Sequence, residues 1–195
     1  MGSAQPQPTR TYDFAGGSNA VADDVDTDLN TLYTVLQGGV GNTHIADDAA
    51  IAFSKLEAVA WTTYTPTWTA ETANPAIGNG TLTGKYEKIG RKIEFKIRLI
   101  FGSTTTAGTG SWRFTLPVNA ESTTFLPNLT ILVEDYSASV TYGGNAALLS
   151  VGVIVPTCYY VSGTEVRRSS ITGTYPFTWT TSDYILVSGT YESAS

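Results

Sequence analysis

The sequence predicts a mainly β protein: an antiparallel β-sandwich head, jelly-roll-like, over residues 61–195, behind a short α-helical stalk within residues 1–60. Three observations carry this expectation. After Trp61, apolar and polar residues alternate in several runs, the period of a half-buried strand. Turn signals rich in Gly and Asn separate those runs, as they do in antiparallel sandwiches and barrels. Before residue 60 the apolar spacing is instead three and four residues, which belongs to helices. Composition agrees, because only 14% of the chain is charged, against roughly 25% in an average domain. Thr, Ser, Gly and aromatic side chains fill the difference and favour strands and tight turns. A hydrophobic fraction of 42% over 195 residues is enough to build a buried core and is not a disordered composition.

Residues 1–20 read as an arm, because Pro6 and Pro8 disfavour helix and Gly16-Gly17-Ser18 loosens the chain. Tyr12 and Phe14 are its large apolar groups, so they are the candidates for docking into a partner protein. Residues 21–37 read as a helix, with Asp23 and Asp24 suiting its N-terminus and Gly38-Gly39 its end. Val25, Leu29, Leu32 and Leu36 step by 4, 3 and 4, the seam of a coiled coil. A second helix is expected over about 47–59, where Ile45, Ala49, Ala52, Leu56 and Val59 step by 4, 3, 4 and 3. Each seam spans only about two heptads. Self-association and packing on the chain's own surface are both compatible with it.

From residue 61 the strands follow. Ile93, Phe95, Ile97, Leu99 and Phe101 alternate with Glu94, Lys96 and Arg98. Trp112, Phe114, Leu116 and Val118 form a second set, and Ile185, Val187, Gly189 and Tyr191 a third. Turns are expected at Asn79-Gly80, at Ile89-Gly90-Arg91, between Gly102 and Gly110, and at Gly143-Gly144-Asn145. Pro66 and Pro176 place their neighbours at sheet edges or strand starts, since Pro cannot donate to a ladder. The domain boundary is expected near residue 60.

Charge excludes one class of partner. Residues 1–60 hold eight acids against Arg10 and Lys55, which accounts for the whole net charge of −6 and leaves residues 61–195 neutral. Nucleic-acid binding needs a basic surface, so none is expected. The cluster Lys85, Lys88, Arg91, Lys92, Lys96 and Arg98 is interleaved with Glu87 and Glu94 and reads as a solvated hairpin face, or as a dock for an acidic neighbour. No apolar run reaches about 18 residues, so no membrane insertion is expected, and no targeting signal is read at the N-terminus.

Catalysis needs groups of matched pKa held together, and the sequence offers few. His44 lies in a Gly-Asn-Thr-His linker and reads as solvated, while Cys158 sits in a strand-like run and reads as a buried thiol. One His and one Cys make no zinc site. The Asp24-Val25-Asp26-Thr27-Asp28 run imitates a calcium loop but has Leu29 and Val35 where Gly and Glu are required. Glu134 and Asp135 are adjacent, hence on opposite faces of a strand, which does not suit glycoside hydrolysis. The expectation is a protein that is not an enzyme and has no cofactor or metal. Its binding candidates are aromatic: Tyr136, Tyr142, Tyr159, Tyr160 and Trp179, which either stack on sugar rings or pack in a core or subunit interface.

One resemblance adds to this reading. Asp28-Leu29-Asn30-Thr31-Leu32-Tyr33, followed by Ile45-Ala46-Asp47 and Ile51-Ala52-Phe53-Ser54-Lys55-Leu56, resembles the stalk segments of bacteriophage tail-fibre proteins. Tyr64-Thr65-Pro66-Thr67-Trp68, Ile77-Gly78-Asn79-Gly80, Trp112-Arg113-Phe114-Thr115-Leu116-Pro117 and Asp183-Tyr184-Ile185-Leu186-Val187 follow in that family's order, while residues 119–178 fit only loosely. The resemblance implies a structural protein of a phage virion, on tail, neck or capsid, commonly a homotrimer. The stalk seams would then form the subunit interface, and the arm would meet other virion proteins. The head would be a receptor-binding fibre or spike that meets host-surface glycan; a capsid or neck decoration protein without receptor binding is the alternative.

Overall fold

The computed structural model describes residues 29–34, 60–124 and 129–194. The chain divides into two units, Met1–Glu57 and Ala58–Ser195. In the first, residues 29–34 are α-helical, with the Thr34 hydroxyl donating to the Asn30 carbonyl at 2.7 Å. Leu29 and Leu32 lie on this helix with their side chains exposed. The other expected seam residues (Val25, Leu36, Ile45, Ala49, Ala52, Leu56, Val59), the arm residues Tyr12 and Phe14, and His44 lie outside the described residues.

The described residues of the second unit form ten strands: β1 (Thr62–Tyr64), β2 (Trp68–Ala70), β3 (Thr81–Ile89), β4 (Lys92–Ile100), β5 (Trp112–Thr115), β6 (Leu129–Asp135), β7 (Val140–Ser150), β8 (Val153–Ser162), β9 (Glu165–Ser170) and β10 (Tyr184–Glu192). All join one antiparallel sheet in the order β1-β3-β4-β10-β6-β7-β8-β5-β2, with β9 sharing an edge of β8. This corrects the expectation of a sandwich, in which two separate sheets would stack. Six strand spacings separate β4 from β2 in that order, about 29 Å in a flat sheet. Yet Phe101, directly after β4, has its ring 5.7 Å from that of Trp68 in β2. The sheet therefore curls into a half-barrel and closes its inner face on itself.

The alternation in the sequence supplies that inner face. Ile93, Phe95, Ile97 and Leu99 of β4 are essentially fully buried, and they pair in register with Tyr191, Gly189, Val187 and Ile185 of β10. Leu129, Ile131 and Val133 of β6 continue the layer. Burying each such side chain contributes about 1.5–3 kcal/mol. A register slip between Leu148 and Ser150 against β8 marks a bulge, which adds local bend and twist.

Most expected turns stand where the sequence puts them. Gly90, at φ 60°, closes the β3–β4 hairpin in the left-handed region that glycine tolerates best. Asn79 is held by Thr104 through its backbone N–H and side-chain oxygen. Gly143-Gly144-Asn145 is the exception, because it lies inside β7. A Cβ on Gly144 would run into the Thr157 carbonyl oxygen, so this glycine serves the close approach of β8 rather than a turn.

Candidate binding surface

An aromatic row leads from the core to the surface. Trp68 meets Trp112 with ring centroids 4.8 Å apart, Trp112 meets Trp179 at 4.6 Å, Trp179 meets Phe177 at 4.8 Å, and Phe177 meets Tyr142 at 5.5 Å. Edge and tilted geometries of this kind add about 0.5–1.5 kcal/mol per pair beyond burial. The row starts among buried rings and ends on Tyr142 and Phe177, which are only partly buried.

Two elements build the outer end. Tyr142 and Tyr160 come from β7 and β8 and stand on the inner side of the sheet, as Val133 opposite Tyr142 and Cys158 two residues before Tyr160 are buried. Tyr175 and Phe177 come from the segment between β9 and β10. That segment is fixed by the Thr172 N–H donating to the Tyr175 carbonyl, by the Trp179 Nε1–H donating to the Thr172 carbonyl at 2.9 Å, and by the Ile171 N–H donating to the Pro156 carbonyl. The Tyr175–Pro176 peptide is cis. Tyr160 and Tyr175 meet edge to face at 6.3 Å. Burial pushes the Tyr175 phenol up, and the nearby Cys158, Tyr160 and Tyr142 groups push the same way, so it stays protonated and able to donate at neutral pH.

The structure thus brings together two of the five expected aromatic contacts, Tyr142 and Tyr160, through Tyr175 and Phe177. Sequence reading used Pro176 and Phe177 only to place a strand edge; the aromatic residues on both sides of Pro176 were the signal for a ring-bearing loop. Tyr136 stands apart on the β6–β7 turn, 66% exposed. Tyr159 is exposed on the opposite side of β8 from Tyr160. Trp179 is a core residue, 8% exposed with its indole N–H satisfied, and offers little to a ligand.

Such a surface can hold a flat, partly apolar ligand. Ring faces pack against C–H groups, while phenol oxygens accept and donate hydrogen bonds. The ionisable groups nearby have structural partners. Glu134 accepts from the Thr141 hydroxyl, and Asp135 accepts from the Ser137 hydroxyl and the Ala138 N–H in the β6–β7 turn. Cys158 is a free, fully buried thiol whose burial pushes its pKa up to about 12. Among the described residues no three His, Cys, Asp or Glu side chains gather where they would hold a metal ion.

Comparison with known proteins gives one relative to set beside this surface. Over 129 residues, 66% of its length, the chain is 27% identical to the Mu-like prophage FluMu defective tail fiber protein of Haemophilus influenzae. The chain spans about a fifth of that relative's length. No family model matches the chain, and no solved structure matches it.

Proposed function

We propose that this chain is a non-enzymatic module of a phage tail appendage, a fibre or spike, whose β head adheres to the host surface. The likeness to a tail fiber protein over two-thirds of the chain supports the appendage reading. The observation that carries adhesion is the half-exposed aromatic group of Tyr142, Tyr160, Tyr175 and Phe177 on a rigid sheet. The proposed assembly is a homotrimer, joined through the seams around Val25, Leu29, Leu32, Leu36, Ile45, Ala49, Ala52, Leu56 and Val59, with Tyr12 and Phe14 docking to other virion proteins. Leu29 and Leu32, more than half exposed, are available for such a contact within their unit. Three linked heads would raise a weak single-site affinity through effective concentration.

Gold-labelled antibody against the head, applied to virions carrying this chain, tests the placement. Label at the distal tail is expected. Label confined to the capsid or neck would overturn the adhesive reading in favour of a decoration protein.

A further inference from the structure

A second surface lies on the other side of the sheet. The outer faces of β3, β4 and β10 form an open groove of about 400 Å³. Leu186, Thr83 and Ser188 line its floor, and Lys85, Lys96 and Arg98 stand along it. The Lys85 and Lys96 ammonium groups lie 5.0 and 4.7 Å from the ring centroid of Trp61.

The charges here are arranged against the protein's own stability. Lys85 and Lys96 are directly opposite each other in the β3–β4 ladder, and like charges in that position destabilise a sheet. Both lean on one indole ring, which holds the two cations near each other. Arg98, two residues further along β4, stacks on Tyr184 at 5.5 Å and has no acidic partner among the described residues. Lys96 reaches Glu94 only at 3.9 Å and remains half exposed. An anion seated between these groups would offset the repulsion. The next row of the ladder pairs Glu87 with Glu94. It would repel an extended polyanion, so the charge accepted must be local. The floor alternates hydroxyls with the apolar surface of Leu186 and the lysine stems, which suits the hydroxyl and C–H faces of a sugar.

We infer that the Lys85–Lys96–Arg98 groove is a binding site for a carboxylated saccharide, such as a uronic-acid-containing polymer of a cell surface. This inference rests on the adhesive reading of the head but uses a face separate from the aromatic group. The two can therefore fail independently.

The test is calorimetric titration of the full chain with a trisaccharide carrying a single galacturonic acid residue and with its neutral galactose counterpart, alongside adsorption of labelled protein to bacterial cells. The acidic sugar is expected to bind at least tenfold more tightly, with affinity falling as salt rises. Arg98→Ala and the double change Lys85→Ala/Lys96→Ala are each expected to lose at least tenfold, while Arg98→Lys recovers part of the loss and Val161→Thr, on the β8–β9 hairpin, leaves this binding unchanged. Equal affinity for both sugars, or no change in these variants with their thermal unfolding intact, overturns the groove. No trisaccharide binding by a chain that still adsorbs to cells overturns the groove alone and leaves adhesion standing. Trisaccharide binding without adsorption to any cell overturns adhesion alone. A drop in solution mass on Lys85→Glu/Lys96→Glu would show that the groove is filled by a second copy and would overturn the saccharide assignment.

Discussion

At the scale of single residues, Asp183, Cys158 and Tyr191 show how burial and bonding decide behaviour. Asp183 is fully buried and accepts from the Tyr136 N–H, the Thr180 N–H and the Thr180 hydroxyl. It ties the β6–β7 turn to the start of β10. Asp183→Ala leaves those donors unsatisfied, and a loss of about 2–3 kcal/mol in urea unfolding is expected. Cys158 and Tyr191 have pKa values raised by burial to about 12. Their stabilisation is fully present below the unfolded values near 9 and 10 and fades as pH rises toward 12. Melting temperature should therefore hold through pH 8 and fall from about pH 9 upward. A flat profile to pH 12 would contradict this. The same burial should make Cys158 inert to thiol reagents until the protein unfolds. That reading of Cys158 was available from the sequence, because an apolar strand-like run surrounds it. For Trp179 the sequence left core and surface both open, since aromatics at Tyr175, Phe177 and Trp179 carry no mark of which one points inward; burial to 8% places it in the core.

At the scale of elements, strands were legible and their assembly was not. Period-two alternation shows that β4 and β10 each have one dry face. It does not show which strands pair, so a sandwich and a curled sheet give the same pattern. The unbroken hydrogen-bonded order from β1 to β2 decides between them, and the contact of Trp68 with Phe101, 33 positions apart in sequence, shows that this one sheet curls. Gly143-Gly144 was misread for a related reason: a glycine pair marks a turn or a close approach, and only the neighbouring strand tells which. Gly144→Ala should cost about 3 kcal/mol, as the added methyl meets the Thr157 carbonyl of a paired strand. Exposed sites on the β8–β9 hairpin should behave oppositely. Val161 and Val166 are paired but 74% and 72% exposed, so Val161→Thr should move stability by no more than about 0.5 kcal/mol. Both substitutions are read by denaturant midpoints.

At the scale of the whole molecule, the proposed fibre divides its work: the head carries the aromatic face and the stalk assembles the subunits. A trimer of the 20.7 kDa chain has a solution mass of about 62 kDa. Light scattering should return that value, and Leu29→Asp/Leu32→Asp should lower it to the monomer if the helical seam is the interface. The expectation of a trimer came from family resemblance and from short heptad runs, which fit a dimer equally well. The aromatic group was legible only in part, because Tyr142 and Phe177 lie 35 residues apart in sequence and only the fold brings their rings to 5.5 Å.

The central claim is that the head holds a host surface through its aromatic group. The most direct measurement is adsorption of labelled full-length protein to a panel of bacterial cells, comparing the native chain with Tyr160→Ala and Tyr142→Ala variants that melt normally. Adsorption to a subset of strains is expected, reduced at least tenfold by either substitution. Adsorption to no strain, or adsorption untouched by both substitutions, would contradict it.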